Sequence, residues 1–101
     1  MKALTHTLAL IFLSSPLFLH SQKVSINSEK LSNHVYMITG QGGNIGLFED
    51  TDALLMIDSQ FGKLTPQILA EIKTISPKPI KTLLNTHHHG DHTGGNENIV
   101  N

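Results

Sequence analysis

A dense cluster of metal-ligand side chains follows an apolar stretch near the C-terminal end of the chain. Four of these side chains share the spacing H-x-H-x-D-H: His87, His89, Asp91 and His92. Neutral imidazole nitrogens and carboxylates are the ligands that Zn²⁺ and similar divalent ions prefer. The cluster therefore predicts a metal centre and makes a metalloenzyme the first hypothesis. A solvated polar loop is the weaker alternative, and an expression tag is disfavoured because the histidines are internal.

The spacing also predicts how one loop can serve two ions. In an extended loop, residues two apart point the same way, so His87 and His89 are expected to converge on one ion while His88 faces away. The conformational freedom of Gly90 is expected to let the chain turn, so that the remaining two ligands reach a second ion. Both ions would still be incomplete, because catalytic zinc usually takes three protein ligands and a water.

The hydrophobic pattern predicts the elements that position this loop. Short apolar or β-branched runs predict strands at residues 35–38, 44–49, 53–57 and 80–85. The first three are expected to pair antiparallel, with the third buried on both faces. Apolar residues at helical spacing predict a helix over residues 65–75, with the Thr65 hydroxyl as its cap and Pro66 in its first turn. Residues 22–30 suit either a tail or a short edge strand.

Several residues around the cluster allow more than one interpretation. Asp58 ends an apolar strand, where a carboxylate either caps a turn or accepts the free N–H of a ligand histidine; the pattern slightly favours the cap. Residues 40–43 are rich in glycine but lack the lysine and hydroxyl of a phosphate loop, so we interpret them as a mobile turn bordering a site. The other separate histidines, His6, His20 and His34, are interpreted as bystanders.

The N-terminal residues 1–21 are typical of a secretory signal peptide. Lys2 precedes the apolar runs 8–13 and 17–19, which is the order of charged and apolar regions in such peptides. The run is broken and falls short of the ~20 residues of a membrane span, so we expect export without a stable membrane anchor. A buried N-terminal helix is the weaker alternative. The mature protein, beginning near Gln22, is expected to be periplasmic or secreted.

The composition disfavours some classes of partner. The chain contains no cysteine, which excludes disulfides and a lipid anchor on cysteine, and all seven of its basic residues are lysines. Nucleic-acid phosphates usually meet clustered Lys and Arg, so no nucleic-acid partner is expected. The expected partner is a small-molecule substrate, and the oligomeric state stays open.

The motif H-x-H-x-D-H, preceded by the strand end at Asp58 and followed by Thr93-Gly94-Gly95-Asn96, resembles the metallo-β-lactamase superfamily of metal-dependent hydrolases. The resemblance runs from about Leu31 to Asn101. It implies an α/β fold, a four-layer αββα sandwich, of which residues 22–101 would hold most of the first half. The family's remaining metal ligands would lie beyond Asn101, so the chain is expected to be an N-terminal fragment.

The resemblance also implies roles for individual residues. The positions of His87 and His89 bind the first zinc in that family, and those of Asp91 and His92 bind the second. Asp58 would not bind a metal itself but would orient a residue that does. A histidine at position 92 resembles members that use histidine rather than cysteine at the second metal.

The resulting hypothesis is an exported zinc hydrolase. A zinc-bound hydroxide would attack an amide, lactam, ester or thioester carbonyl, and Asp91 would help to hold the nucleophile and the leaving group. The alternative is a non-catalytic metal-binding protein, or a degenerate fragment without a complete site. The motif does not separate lactamases from thioesterases, lactonases or other esterases of the same fold.

Overall fold

The computed structural model describes residues 16–19 and 21–100. Most of the predicted signal peptide therefore lies outside the described residues, as do His6 and His20. Residues 16–19 are exposed and have no regular secondary structure. Within the described ranges, no helix is both long enough and apolar enough to cross a membrane.

One five-stranded sheet carries the fold of the described residues, and its strands follow one another in chain order. The strands are β1 (Asn27–Lys30), β2 (Val35–Thr39), β3 (Ile45–Glu49), β4 (Leu54–Ile57) and β5 (Ile80–Leu84). The first four pair antiparallel, as predicted for β2, β3 and β4, and β5 lies parallel to β4. The segment with two open interpretations thus contains an edge strand, β1.

The parallel pair needs a crossover connection, and helix α1 (Thr65–Ile75) supplies it with the bounds that the sequence predicts. The expected Thr65 cap is wrong, since Leu64 occupies the cap position and no side chain caps the helix. A 3₁₀ turn, Gly62–Leu64, runs directly into α1, so the Thr65 N–H already donates to the Gly62 carbonyl. The Thr65 hydroxyl instead accepts from Asn98 Nδ2 at 3.3 Å.

The apolar core lies between α1 and one face of the sheet. Its fully buried members are Ile38, Ile45, Leu47, Leu54, Met56, Leu64, Ile68 and Ile72. Strand β4 shows the asymmetry, because Leu54 and Met56 are 1% and 0% exposed whereas Ile57 is 37% exposed. The expectation that β4 is buried on both faces is therefore wrong for the described residues, since α1 covers only one face.

Two short helices follow β5: α2 (Gly90–Thr93) and α3 (Asn96–Val100). We call residues 85–95 the ligand loop, because they contain α2 and all four predicted metal ligands. Helix α3 begins directly after Gly95. The remaining question is what holds the ligand loop against the sheet.

Candidate metal centre

The candidate centre lies at the C-terminal ends of β4 and β5. Because the two strands are parallel neighbours, the residues that follow them emerge at the same edge of the sheet. Asp58 comes directly after β4, and its backbone N–H donates to the Leu84 carbonyl of β5 at 2.8 Å. The strand pairing therefore brings Asp58 against the ligand loop, although the two are far apart in sequence.

Asp58 is buried, at 3% exposure, and its carboxylate accepts three hydrogen bonds. The Thr86 N–H donates to Oδ1 at 2.8 Å, the Thr86 hydroxyl donates to Oδ2 at 2.7 Å, and His92 Nδ1 lies 2.8 Å from Oδ2. Burial acts to raise the pKa of Asp58, but these bonds outweigh it and hold the pKa below its usual value. The slightly favoured interpretation of Asp58 as a turn cap does not match these contacts. The carboxylate instead forms hydrogen bonds with residues of the ligand loop.

His92 is oriented directly by this carboxylate. Since an ionised carboxylate only accepts hydrogen bonds, Nδ1 of His92 donates to it, and in the neutral imidazole Nε2 is then the nitrogen with the lone pair. Nε2 lies 3.5 Å from Oδ2 of Asp91, a separation that suits two ligands each about 2.0–2.2 Å from one ion. These two donor atoms form the pair that the spacing predicts for one of the metals.

His87 is oriented through Thr86. The Thr86 hydroxyl has one proton, which it donates to Asp58, so it must accept from His87 Nδ1 at 2.9 Å. That leaves Nε2 of His87 as the free nitrogen. One buried carboxylate therefore orients two imidazoles, His92 by direct contact and His87 through a hydroxyl.

The histidine rings of the ligand loop gather as a group. The His87 ring centroid lies 4.0 Å from that of His92 and 4.7 Å from that of His89. The His88 ring also lies close to that of His89, with 4.9 Å between centroids. That His88 faces away from a metal stays a prediction. Residues 87–89 are exposed, which leaves their free nitrogens open to solvent.

The way in which the loop returns differs from the sequence expectation. Gly90 has no positive φ, and neither has any other glycine of the chain, all of which lie in the described ranges. Gly90 instead begins α2, in which the N–H groups of His92 and Thr93 donate to the His89 carbonyl at 2.9 and 3.1 Å. A helical turn, rather than a left-handed glycine, brings Asp91 and His92 back toward His87.

Among the described residues, no three His, Asp or Glu side chains surround a single point at which they would hold an ion. The donor set nevertheless fits zinc in its chemistry, because it offers imidazole nitrogens with fixed protons and a half-exposed carboxylate.

A polar network behind the ligands was not anticipated from the sequence. The buried Ser59 donates its N–H to the His92 carbonyl at 2.8 Å and its hydroxyl to Asn96 Oδ1 at 2.7 Å. Asn96 Nδ2 donates to Asn85 Oδ1 at 2.7 Å, and Asn85 Nδ2 donates to the His92 carbonyl at 3.2 Å. The short polar residues on both flanks of the motif, with Thr86 among them, are the only sequence signal for this network.

Two further candidates have clear positions. The glycine-rich residues 40–43 connect β2 to β3 and lie against Asp91 and His92, so this turn borders the candidate centre. His34 lies elsewhere, with its ring 6.2 Å from that of Phe48.

Comparisons with known proteins bear on the fold and the family of this chain. The family model described as the metallo-beta-lactamase superfamily matches residues 38–101. The alkyl/aryl-sulfatase BDS1 of Saccharomyces cerevisiae is 32% identical over 74 residues, which are 70% of this chain and 12% of that protein. A mutant of the metallo-beta-lactamase FEZ-1 from Legionella gormanii matches in structure with a TM-score of 0.65 and 27% identity, over 71% of this chain and 28% of that one.

The chain spans 12% of the length of the curated relative and 28% of that of the solved structure. The similarity to a solved lactamase confirms the predicted α/β fold. The family model starts within β2 and includes Asp58 and the whole ligand loop. Because that match covers more than half of its residues, the chain belongs to the metallo-β-lactamase superfamily.

Proposed function

We propose that this protein is an exported, zinc-dependent hydrolase acting on an amide, lactam, ester or thioester carbonyl. The observation that carries the proposal is the buried Asp58 carboxylate, which orients His92 directly and His87 through Thr86. Both histidines are left with a free Nε2, the state that a metal ligand requires. A merely solvated loop has no need of such an arrangement.

The proposed ligands fall into two pairs. His87 and His89, with ring centroids 4.7 Å apart, would hold one ion, and Asp91 and His92 would hold the other. Two bound Zn²⁺ ions would supply Lewis acidity and lower the pKa of an attacking water toward ~7. The remaining ligands of both ions would come from other parts of the protein.

The residues of this chain would position the reactants. The Asp91 side chain is 37% exposed and its Oδ2 lies beside the free nitrogen of His92, so it can accept a hydrogen bond from the attacking water and align it. The exposed His87 and His89 leave the approach open for a substrate carbonyl. Asp58 and Thr86 would hold two of the ligands still as the charge on the substrate changes.

A second candidate reaction is the hydrolysis of a sulfate ester by the same centre. The observation that favours it is the 32% identity to a protein named an alkyl/aryl-sulfatase. The family match does not favour the other alternative, a non-catalytic metal-binding protein, since the superfamily is one of metallo-hydrolases.

The test uses the purified full-length protein. We expect elemental analysis to find about two zinc ions per domain, with hydrolysis of a chromogenic β-lactam, a thioester or an aryl sulfate identifying the reaction. The variants His87→Ala and His89→Ala should each lose zinc and activity together. His34→Ala, which changes a histidine far from the centre, should keep both. A zinc-free protein, or activity that survives both ligand variants, contradicts the proposal.

Export has a separate test. The proposal depends on Lys2 and the apolar residues that follow it, which are typical of a secretory signal peptide. Mass spectrometry of the protein from its native cells should find a mature N-terminus near Gln22. Retention of Met1 would contradict export without affecting the hydrolase proposal.

A further inference from the structure

The β2–β3 turn contains two glycines that touch the proposed ligands of the second metal. A Cβ added at Gly43 would fall deep inside van der Waals contact with the His92 ring, reaching Cε1, Nε2 and also Nδ1, the last at 2.7 Å. A Cβ added at Gly42 would lie 2.8 Å from Cβ of Asp91 and 2.9 Å from Cε2 of Phe61. Each glycine therefore faces a different member of the same ligand pair.

Space, rather than backbone conformation, explains why glycine is needed here. Neither Gly42 nor Gly43 has a positive φ, so other residues could adopt these backbone angles without strain. What a larger residue could not do is leave room for the imidazole of His92. The absence of a side chain at Gly43 is thus a requirement of the ligand and not of the turn.

The His92 ring has little freedom to move aside. Its Nδ1 is bonded to Asp58 at 2.8 Å, its centroid lies 4.0 Å from that of His87, and its carbonyl accepts the Ser59 N–H at 2.8 Å. A methyl group at position 43 would displace the ring against these contacts. The strain would therefore appear as a misplaced Nε2.

We propose that Gly43 is a positioning residue for the second metal, with Gly42 in the same role for Asp91. The backbone of the two glycines packs directly against Asp91 and His92. This packing holds His92 Nε2 and Asp91 Oδ2 at their separation of 3.5 Å. This inference rests on the proposed function, because it assumes that these two side chains are ligands. It adds that the antiparallel half of the sheet, through one turn, sets the affinity of one metal and not of the other.

The matched control is Gly46 in β3, two residues beyond the end of the turn. The three atoms nearest to a Cβ at Gly46 would all belong to Ile57, at 3.5 Å or more, which is ordinary contact. Gly46→Ala thus adds the same methyl group to the same hairpin without touching a ligand. Any general cost of replacing glycine in this region appears equally in the control.

The experiment titrates zinc into metal-free full-length protein by calorimetry and records the cobalt-substituted absorption spectrum of each variant. We expect Gly43→Ala and Gly42→Ala to weaken binding of one metal equivalent by about 10- to 100-fold, with the other equivalent unchanged. The cobalt spectrum of the weakened equivalent should change as well. Gly46→Ala should match the wild type in both measurements.

The possible failures are distinguishable. If the wild type binds two equivalents and Gly43→Ala binds both equally well, the positioning role is overturned and the proposed hydrolase stands. If the wild type binds no zinc, the proposed function itself fails. If both glycine variants fail to fold while Gly46→Ala folds, the turn supports the sheet instead of the ligand pair, and the positioning role is again overturned.

Discussion

The sheet face under α1 and the ligand loop are held together by different forces. Under α1, the described structure buries only aliphatic and thioether side chains in its main cluster, for example Ile38, Met56 and Ile68 at 0% exposure. The ligand loop instead exposes residues 87–89 and is held by hydrogen bonds with Asp58 and Ser59. A change under α1 should therefore alter the stability of the whole domain, whereas a change in the loop should alter metal binding first.

The two regions meet at residues 58–60, directly after β4. Asp58 and Gln60 have φ angles of 64° and 55°, the two positive values among the non-glycine residues that the structure describes. Left-handed backbone costs roughly 1–2 kcal/mol per residue, so this junction is locally strained. The strain persists because it aims Asp58 at the ligand loop while returning the chain to α1.

The largest effect on stability is expected in the apolar core between α1 and the sheet. Met56→Ala should lower the free energy of unfolding by about 2–5 kcal/mol, because it leaves a cavity in the apolar cluster. Denaturant unfolding of the metal-free protein measures the change. Leu31→Ala, at a side chain that is 55% exposed in a loop, should change stability far less. Equal costs for the two variants would contradict the described core.

A smaller loss of stability, accompanied by a loss of metal, is expected at the junction. Asp58→Asn replaces a carboxylate that accepts three hydrogen bonds by an amide with one acceptor oxygen. Unfolding should become easier by about 1–3 kcal/mol, and zinc affinity should fall by about 10- to 100-fold. Zinc titration and denaturant unfolding test both. Asp52→Asn in the exposed β3–β4 turn is the matched control, and an equal loss there would remove the special role of Asp58.

At Gln60, in contrast to the two preceding sites, a substitution is expected to stabilise the protein. It is 0% exposed, and its side-chain nitrogen and oxygen have no hydrogen-bond partner among the described residues. Gln60→Met keeps the length of the side chain and removes both polar atoms, so it should raise the free energy of unfolding by about 1 kcal/mol or more. Gln67→Met, on an exposed position of α1, should be close to neutral. A destabilised Gln60→Met protein would show that the amide has a partner.

The smallest effect is expected from a partly buried ion pair at the far end of the sheet. Lys78 Nζ lies 3.0 Å from Oε1 of Glu49, and hydrogen bonds from Lys78 and then Ser76 lower the pKa of Glu49 from its usual 4.5. A lowered pKa stabilises the folded state above the pKa of the unfolded chain, and this contribution disappears as pH falls through the folded value.

Glu49→Gln should therefore lower the melting temperature slightly at pH 7 and lower it less near pH 3. Melting curves of both proteins at the two pH values measure this. Glu29→Gln on edge strand β1 removes the same charge elsewhere. A difference between wild type and Glu49→Gln that is as large at pH 3 as at pH 7 would mean that packing, not the ion pair, is responsible.

Local signals in the sequence predicted the elements well. The bounds of α1 follow from Pro66 near its start and Pro77 after its end, and the strands follow from short apolar runs. The wrong expectations concern details that depend on neighbours. Thr65 does not cap because a 3₁₀ turn precedes it, and Gly90 needs no unusual backbone because α2 begins there.

The candidate site was only partly predictable for the same reason. The ligand types and their spacing are visible in one short motif, but Thr86, Ser59 and Asn96 act through partners elsewhere in the fold. Gly43 is the clearest case, since its partner His92 lies 49 positions further along the chain. In the sequence alone, a glycine in a turn suggests flexibility. The position of the His92 imidazole shows instead that a side chain at position 43 would clash with it.

The sequence by itself determined which donor atoms this protein offers to a metal, because side-chain chemistry and spacing within one loop are local properties. It also determined the order of strands and helix, since hydrophobic periodicity is read over a few residues. Only the tertiary structure decided which imidazole nitrogens are free to bind a metal and which glycines leave room for a ligand side chain. Those depend on the parallel pairing of β4 with β5, which brings Asp58 to the ligand loop, and on the β2–β3 turn that meets the loop from the other half of the sheet.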